Sequence, residues 1–151
     1  IGCVDNHNCR KILHEIFEEY KSYLPVNWYR RALHFYDENE RVMLGVQAWK
    51  DGDLDKFGKL IFESGYSSIY NYETGSEELR DLYEIMTNTD GIYGGRFSGA
   101  GFKGFCMALI DPEKEESIKE NITQEYLNRF PLLKDRFSIH ICEISNGVEL
   151  K

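Results

Sequence analysis

The sequence predicts an α+β domain in which helices cover a small, mostly antiparallel sheet. Three observations carry that expectation. Apolar residues recur at helical spacing through the first two thirds of the chain; after Gly91 the period shortens to that of strands; and one further helical segment separates two short apolar runs from a last alternating stretch. The resulting order is four helices, two strands, a helix and a strand. With 151 residues, 42% of them hydrophobic and 14% aromatic, the chain can bury the core of one ordinary domain. It has neither an internal repeat nor a low-complexity linker, so a single unit over residues 1–151 is expected.

In order, the first helix carries Ile12, Leu13, Ile16, Phe17, Tyr20 and Leu24 and is stopped by Pro25. The second starts near Asn27, with Trp28, Ala32, Phe35, Val42, Val46 and Trp49 as its stripe, and ends at Asp51-Gly52. Asp53 caps a third, whose buried stripe is expected to be Leu54, Phe57, Leu60 and Ile61 and whose far end frays into "SGYSSIYNYETGS". Ser76 caps a fourth, with Glu77 and Glu78 suited to the dipole in its first turn and Leu79, Leu82, Tyr83 and Met86 facing inward. Ile92–Ser98 and Phe105–Ile110 read as strands, the second an apolar run typical of a covered sheet. Asp111-Pro112 opens the next helix, with Ile118, Ile122, Tyr126 and Phe130 as its stripe. "RFSIHICEI", in which Phe137, Ile139 and Ile141 alternate with Ser138, His140 and Cys142, reads as the last strand.

A net charge of −8 argues against a general polyanion binder, so no nucleic-acid partner is expected. No stretch reaches the ~20 apolar residues of a membrane span, and no secretory signal is evident, so the formal glycosylation triplet Asn121-Ile122-Thr123 in a helical pattern is not read as modified. Of the four cysteines, Cys106 and Cys142 lie in apolar stretches, as small buried thiols do, which suits a reducing, cytoplasmic setting. Cys3, His7 and Cys9 lack a second pair to complete a tetrahedral zinc site, so no metal ligands are assigned. The chain begins at Ile1, and it is read as a piece of a larger protein.

The stretch "GGRFSGAGFKGFCMALI" (94–110) places five glycines in the first of the two strands and in the connection to the second. Gly99-Ala100-Gly101-Phe102-Lys103-Gly104 satisfies G-x-G-x-x-G, but a strand follows where the dinucleotide fingerprint requires a helix N-terminus. A phosphate loop of the G-x-x-x-x-G-K-[ST] kind fails too, because Phe105 and Cys106 follow Gly104. There remains a glycine-rich connection between strands: either a plain hairpin, or bare backbone that admits close approach of a ligand and can form an anion-accepting nest.

"YRRALHFYDENERV" (29–42), "FGKLIFESGYSSIYNYETGSEELRDLYEI" (57–85) and "GIYGGRFSGAGFKGFCMALID" (91–111) resemble, in order and spacing, the C-terminal domain of the GHMP sugar kinases. The last segment is similar to the third motif of galactokinases, G-x-Y-G-x-R-M-T-G-G-G-F-G-G-C, with Arg96, Gly99, Gly101, Phe102 and Gly104 on the pattern. Galactokinases tend to have E-S-H-x-S-L where this chain has Glu63 to Ile69 and S-C-P-E-L-D where it has Gly75 to Arg80, and "SIYNYETGSEELRDLYEI" and "RFSGAGFKG" look closer to the galacturonokinase branch. That branch tends to carry a basic residue at the position of Lys103.

The resemblance implies an ATP-dependent, Mg²⁺-assisted sugar 1-kinase acting on the anomeric hydroxyl of galactose or a related sugar such as galacturonic acid. It implies that Arg96, Ser98, Gly99, Ala100, Gly101, Phe102, Lys103 and Gly104 form part of the sugar and phosphate wall, with Lys103 reaching a substrate carboxylate or a nucleotide phosphate. The family's nucleotide loop, catalytic Asp and clamping Arg belong to an N-terminal domain, so no catalytic residue is expected in this chain; ATP and Mg²⁺ would be held mainly by that missing partner, and the chain alone would be inactive. Gly65-Tyr66-Ser67-Ser68 imitates the nucleotide loop but follows a helix, and reads as a helix end. Arg96 either orients the loop, faces the ligand or forms a structural ion pair. Arg30, Arg31 and Arg41 read as helix-surface ion pairs, Tyr66, Tyr70 and Tyr72 as packing residues, and His34 and His140 receive no catalytic role. A catalytically silent sugar- and nucleotide-binding regulator of the same family stands as the alternative.

Overall fold

The computed structural model describes residues 14–143. Residues 14–20 form α1, followed by α2 (Val26–Lys50), α3 (Leu54–Tyr70), α4 (Glu77–Asn88), β1 (Ile92–Phe97), β2 (Cys106–Ile110) and α5 (Glu115–Arg129). Asp53 caps α3 through a side-chain oxygen that accepts from the Lys56 amide at 3.0 Å. Asp111 accepts from the Glu113 amide and, with Pro112, starts the 3₁₀ turn Pro112–Lys114 that leads into α5. Ser76 precedes α4 but its hydroxyl makes no cap bond; its amide instead donates to the Gly101 carbonyl at 2.6 Å.

β1 and β2 pair antiparallel, with Gly95 opposite Ala108, Arg96 opposite Met107 and Phe97 opposite Cys106, and a register irregularity between Ile92 and Gly94. The core is Ile69, Leu79, Tyr83, Ile85, Met86, Phe97, Ile118, Ile122 and Tyr126, contributed by α3, α4, β1 and α5. α1 packs separately on α2, where buried Phe17 stacks on Tyr36 with ring centroids 4.8 Å apart.

Four expectations are corrected. α3 does not fray after Ser64: it continues to Tyr70, and Gly65-Tyr66-Ser67-Ser68 is helix interior, not a helix end. Nor is its buried face the large apolar stripe. Gly58, Ser64, Gly65, Ser67, Ser68 and Ile69 are buried instead, and at Gly58 and Gly65 α3 lies so close to its neighbours that a side chain has no room; a Cβ on Gly94 of β1 would stand 2.2 Å from the Gly58 carbonyl oxygen. α2 likewise buries only Gly45 and Ala48, while Trp28, Phe35, Val42, Val46 and Trp49 are exposed. Finally, residues 136–143 form no strand. Phe137 and Ile139 pack on the core and Ser138 and His140 point to solvent, so the alternation holds over 137–140, but Ile141 is exposed and the segment is unpaired along its described length. Period-2 burial needs only an extended chain over a core; a ladder needs a partner.

Among the described residues no helix is long and apolar enough to cross a membrane. Cys3, His7 and Cys9 lie outside the described residues. Cys106 is half-buried as expected of a small thiol, whereas Cys142 is exposed.

Candidate functional site

The glycine loop joins β1 to β2 across residues 98–105 and opens no helix. The Ser98 amide donates to the Phe105 carbonyl at 2.9 Å and closes its neck. The glycines serve different ends. Gly94 admits α3 against β1. Gly101 (φ +74°) is buried against the Phe97 ring, which a Cβ would meet at 2.5 Å, so here bare backbone is required by internal packing. Gly99 (φ +70°) and Gly104 (φ +122°) face open space, with nothing within 4 Å of where a Cβ would be. The loop therefore has a seated middle at Gly101 and an open, left-handed backbone on either side of it. Ala100, Phe102 and Lys103 are exposed, Phe102 at 62%; Ser98 is half-buried; Lys103 makes no ion pair among the described residues.

Arg96 turns away from the exposed rim toward α2 and α3. Its Nη1 donates to Glu38 Oε1 at 3.0 Å and to the Ser64 hydroxyl, while its Nε donates to the Phe97 carbonyl at 3.3 Å. Ser64 also donates to Glu38, whose second oxygen accepts from Arg41 at 2.5 Å; Arg41 approaches Glu63 at 3.9 Å. Arg96 thus makes the ion pair that is one of its readings. Arg41 pairs along its own helix with Glu38. Arg30 and Arg31 reach off their helix to Glu73 at 3.8 and 3.2 Å. Burial pushes the Glu38 carboxyl up, but the Ser64 hydrogen bond and the Arg96 and Arg41 charges outweigh it and hold the group below its ordinary value.

One turn away, His34 Nδ1 shares a hydrogen bond with the buried Ser67 hydroxyl at 3.0 Å, and its ring stacks on Tyr72 at 5.0 Å. Burial holds His34 below the usual histidine range. With Ser67 buried and accepting also from Asn71, this is a packing device and not an activated nucleophile. Tyr66 and Tyr70 are more than half exposed and lie ring against ring at 4.5 Å, so they are not core residues. Among the described residues His140 shares a hydrogen bond with Ser138 at 3.0 Å. No group of three His, Cys, Asp or Glu side chains able to hold a metal occurs among the described residues.

The sequence singles out the loop but not Glu38 and Ser64. Glu38 is 58 positions from Arg96 and Ser64 is 32, and no local pattern joins them; the one cue is a serine inside an otherwise amphipathic helix.

The segment 46–128 matches the family model described as "GHMP kinases C terminal". Over 141 residues, 91% of this chain, it is 41% identical to a galacturonokinase of Arabidopsis thaliana, of which the match covers 33%. It is 35% identical over 138 residues, 90% of the chain, to a galactokinase of Ligilactobacillus salivarius, of which 35% is covered. The fold is similar to that of Lactococcus lactis galactokinase solved with galactose, at a TM-score of 0.66 and 24% identity over 87% of this chain and 40% of that one. The chain thus spans about a third of the length of the curated relatives it matches. A helical layer of small residues pressed on a glycine-containing strand, a glycine loop strung between antiparallel strands, and the family match over 46–128 agree: the chain belongs to the GHMP kinase family and carries its C-terminal domain.

Proposed function

We propose that this chain is the C-terminal domain of an ATP-dependent sugar 1-kinase that transfers the γ-phosphoryl group to the anomeric hydroxyl of galacturonic acid or galactose. The observation that carries the reading is the loop itself. Its backbone at Gly99 and Gly104 is open to a ligand, and it belongs to a chain 41% identical to a galacturonokinase. Phosphoryl transfer of this kind is mostly positioning and charge stabilisation. In this reading Ser98 to Gly104 form one wall of the cleft, with exposed amides suited to an anion. The opposite wall, the nucleotide loop and the groups that hold ATP and Mg²⁺ belong to an N-terminal domain of the same protein. The exposed Phe102, Phe105 and Met107 on and beside the loop suit contact with that domain.

Lys103 is free at the rim to meet a substrate carboxylate or a nucleotide phosphate. Removing a charge-assisted hydrogen bond and putting nothing in its place costs about 1.5–3 kcal/mol, or roughly ten- to hundredfold. The test is a panel of galacturonate, galactose, arabinose and glucuronate on the full-length protein, with Lys103→Ala beside the wild type. Turnover of galacturonate or galactose is expected, with Lys103→Ala raising KM for a uronic acid or for ATP by at least tenfold. Unchanged kinetics would remove Lys103 from the site. Full-length protein that phosphorylates none of these sugars, or robust turnover by residues 1–151 alone, would overturn the larger reading.

A further inference from the structure

We propose that Glu38 is a positioning residue for the glycine loop, acting through Arg96. One carboxylate gathers three elements: α2 through Glu38 itself and Arg41, α3 through Ser64, and β1 through Arg96. The same guanidinium that meets Glu38 also holds the Phe97 carbonyl at 3.3 Å, at the residue from which the chain leaves the sheet and enters the loop. Phe97 is 1% exposed, and its ring packs where a Cβ on Gly75 or Gly101 would stand. The Gly101 carbonyl in turn holds the Ser76 amide at 2.6 Å. Force applied at Glu38 thus reaches the seated middle of the loop through Arg96, Phe97 and Gly101 in series.

This network is not what keeps α3 on β1. Their backbones already touch at Gly58 and Gly94, and Gly65 is pressed against Arg96 Cβ and the Tyr83 ring. Partly buried ion pairs contribute little to stability over an apolar replacement. What the pair adds is direction, because a planar guanidinium with several fixed donors can hold the Phe97 carbonyl, Ser64 and Glu38 at once. Replacing Glu38 by Gln keeps the shape and removes the charge, leaving Arg96 and Arg41 to face each other across a neutral amide, with Glu63 still 3.9 Å from Arg41.

The kinetic part of this inference rests on the proposed phosphoryl transfer; the conformational part does not. In full-length protein, hydrogen exchange of the Ser98 and Ser76 amides, both closed by loop carbonyls, is expected to speed up by about tenfold in Glu38→Gln while α4 and α5 exchange as in the wild type. The kcat is expected to fall by about ten- to hundredfold, as for small misplacements of a reacting site, with the sugar KM within about twofold. Arg96→Lys keeps the charge but loses the fork, and gives the same local exchange signature. Unchanged loop exchange in both variants overturns the proposal. So does acceleration spread evenly over α2, α3 and α4, which marks a purely structural pair. A wild type that phosphorylates no sugar overturns the kinase reading, and the exchange comparison still decides the role of Glu38.

Discussion

Gly94→Ala is the sharpest probe of how this domain is assembled. The added Cβ would lie 2.2 Å from the Gly58 carbonyl oxygen, 2.6 Å from its Cα and 2.7 Å from its carbonyl carbon. Ordinary contact begins at 3.4 Å, so the two backbones must part by about 1.2 Å, the difference between 3.4 and 2.2. Both partners are main chain, and no rotamer change absorbs the clash. A retreat of α3 by that amount would stretch the 2.7 Å bond from the Tyr83 hydroxyl to the Phe62 carbonyl beyond useful length. Overpacking of this kind costs about 1–3 kcal/mol and the broken hydrogen bond about 1 more, so a destabilisation of roughly 3 kcal/mol is expected. Equilibrium urea unfolding followed by circular dichroism measures it. Gly99→Ala is the control: its Cβ meets nothing, so only the left-handed backbone resists, at about 1 kcal/mol. A Gly94→Ala midpoint no lower than that of Gly99→Ala would refute the claim that close backbone approach is what demands glycine at 94.

The Glu38 carboxyl, held below its ordinary 4.5, stabilises the fold fully above that value and loses the contribution as pH falls through its lowered pKa. His34, held below 6.5 by burial, acts in the same direction higher up, since the unfolded chain takes on the proton first as pH drops from there. The difference in urea midpoint between wild type and His34→Gln should therefore shrink between about pH 7 and 5, and a widening difference would contradict the sign. Burial pushes the Cys106 thiol up to about 12, so a native thiol titration should count the same number of reactive cysteines in wild type and Cys106→Ala; a drop of one would show it to be accessible. The outward stripe of α2 predicts that residues 1–151 alone self-associate and that Phe35→Glu with Val46→Glu restores a monomer in sedimentation, an expectation that fails if the wild-type chain is already monomeric.

The strands, the loop between them and the inward faces of α4 and α5 are legible because each rests on a local signal. Glycine density flanks a continuous apolar run at 105–110, and Leu79, Tyr83 and Met86, or Ile118, Ile122 and Tyr126, recur at helical spacing on large side chains; the run marks a strand but not a covered one, because β2 fully buries none of its residues and leaves Met107 exposed. α2 and α3 mislead for one physical reason. Periodicity of large residues finds the face that would bury the most area, whereas α3 buries the face that permits its close approach to β1 and α2 buries Gly45 and Ala48, Gly45 lying on the Phe57 ring; glycine, alanine and serine carry little hydrophobic signal. The segment 136–143 shows the converse case, where alternation is legible but pairing, which depends on a partner edge, is not encoded in it. Within the site, the loop announces itself through its glycines. The carboxylate that holds Arg96 does not, because an ion pair across 58 positions leaves no trace in spacing.

These differences explain why so many glycines gather at 94–104. If all were there to clear space for a ligand, each would border a cavity; if all were hairpin punctuation, each would need only a positive φ. Neither holds. Gly94 and Gly101 are filled spaces, one by a helix backbone and the other by the Phe97 ring, and they fix where the sheet and the loop can lie. Gly99 and Gly104 combine a left-handed backbone with empty surroundings, which leaves main-chain groups accessible at two points on either side of an anchored residue. A loop that was open throughout would lose its shape to entropy, and one packed throughout would have nothing to offer a ligand. Anchoring the middle and baring the flanks meets both requirements. The anchor at Gly101 is therefore as much a part of the candidate site as the exposed amides, although it faces the core.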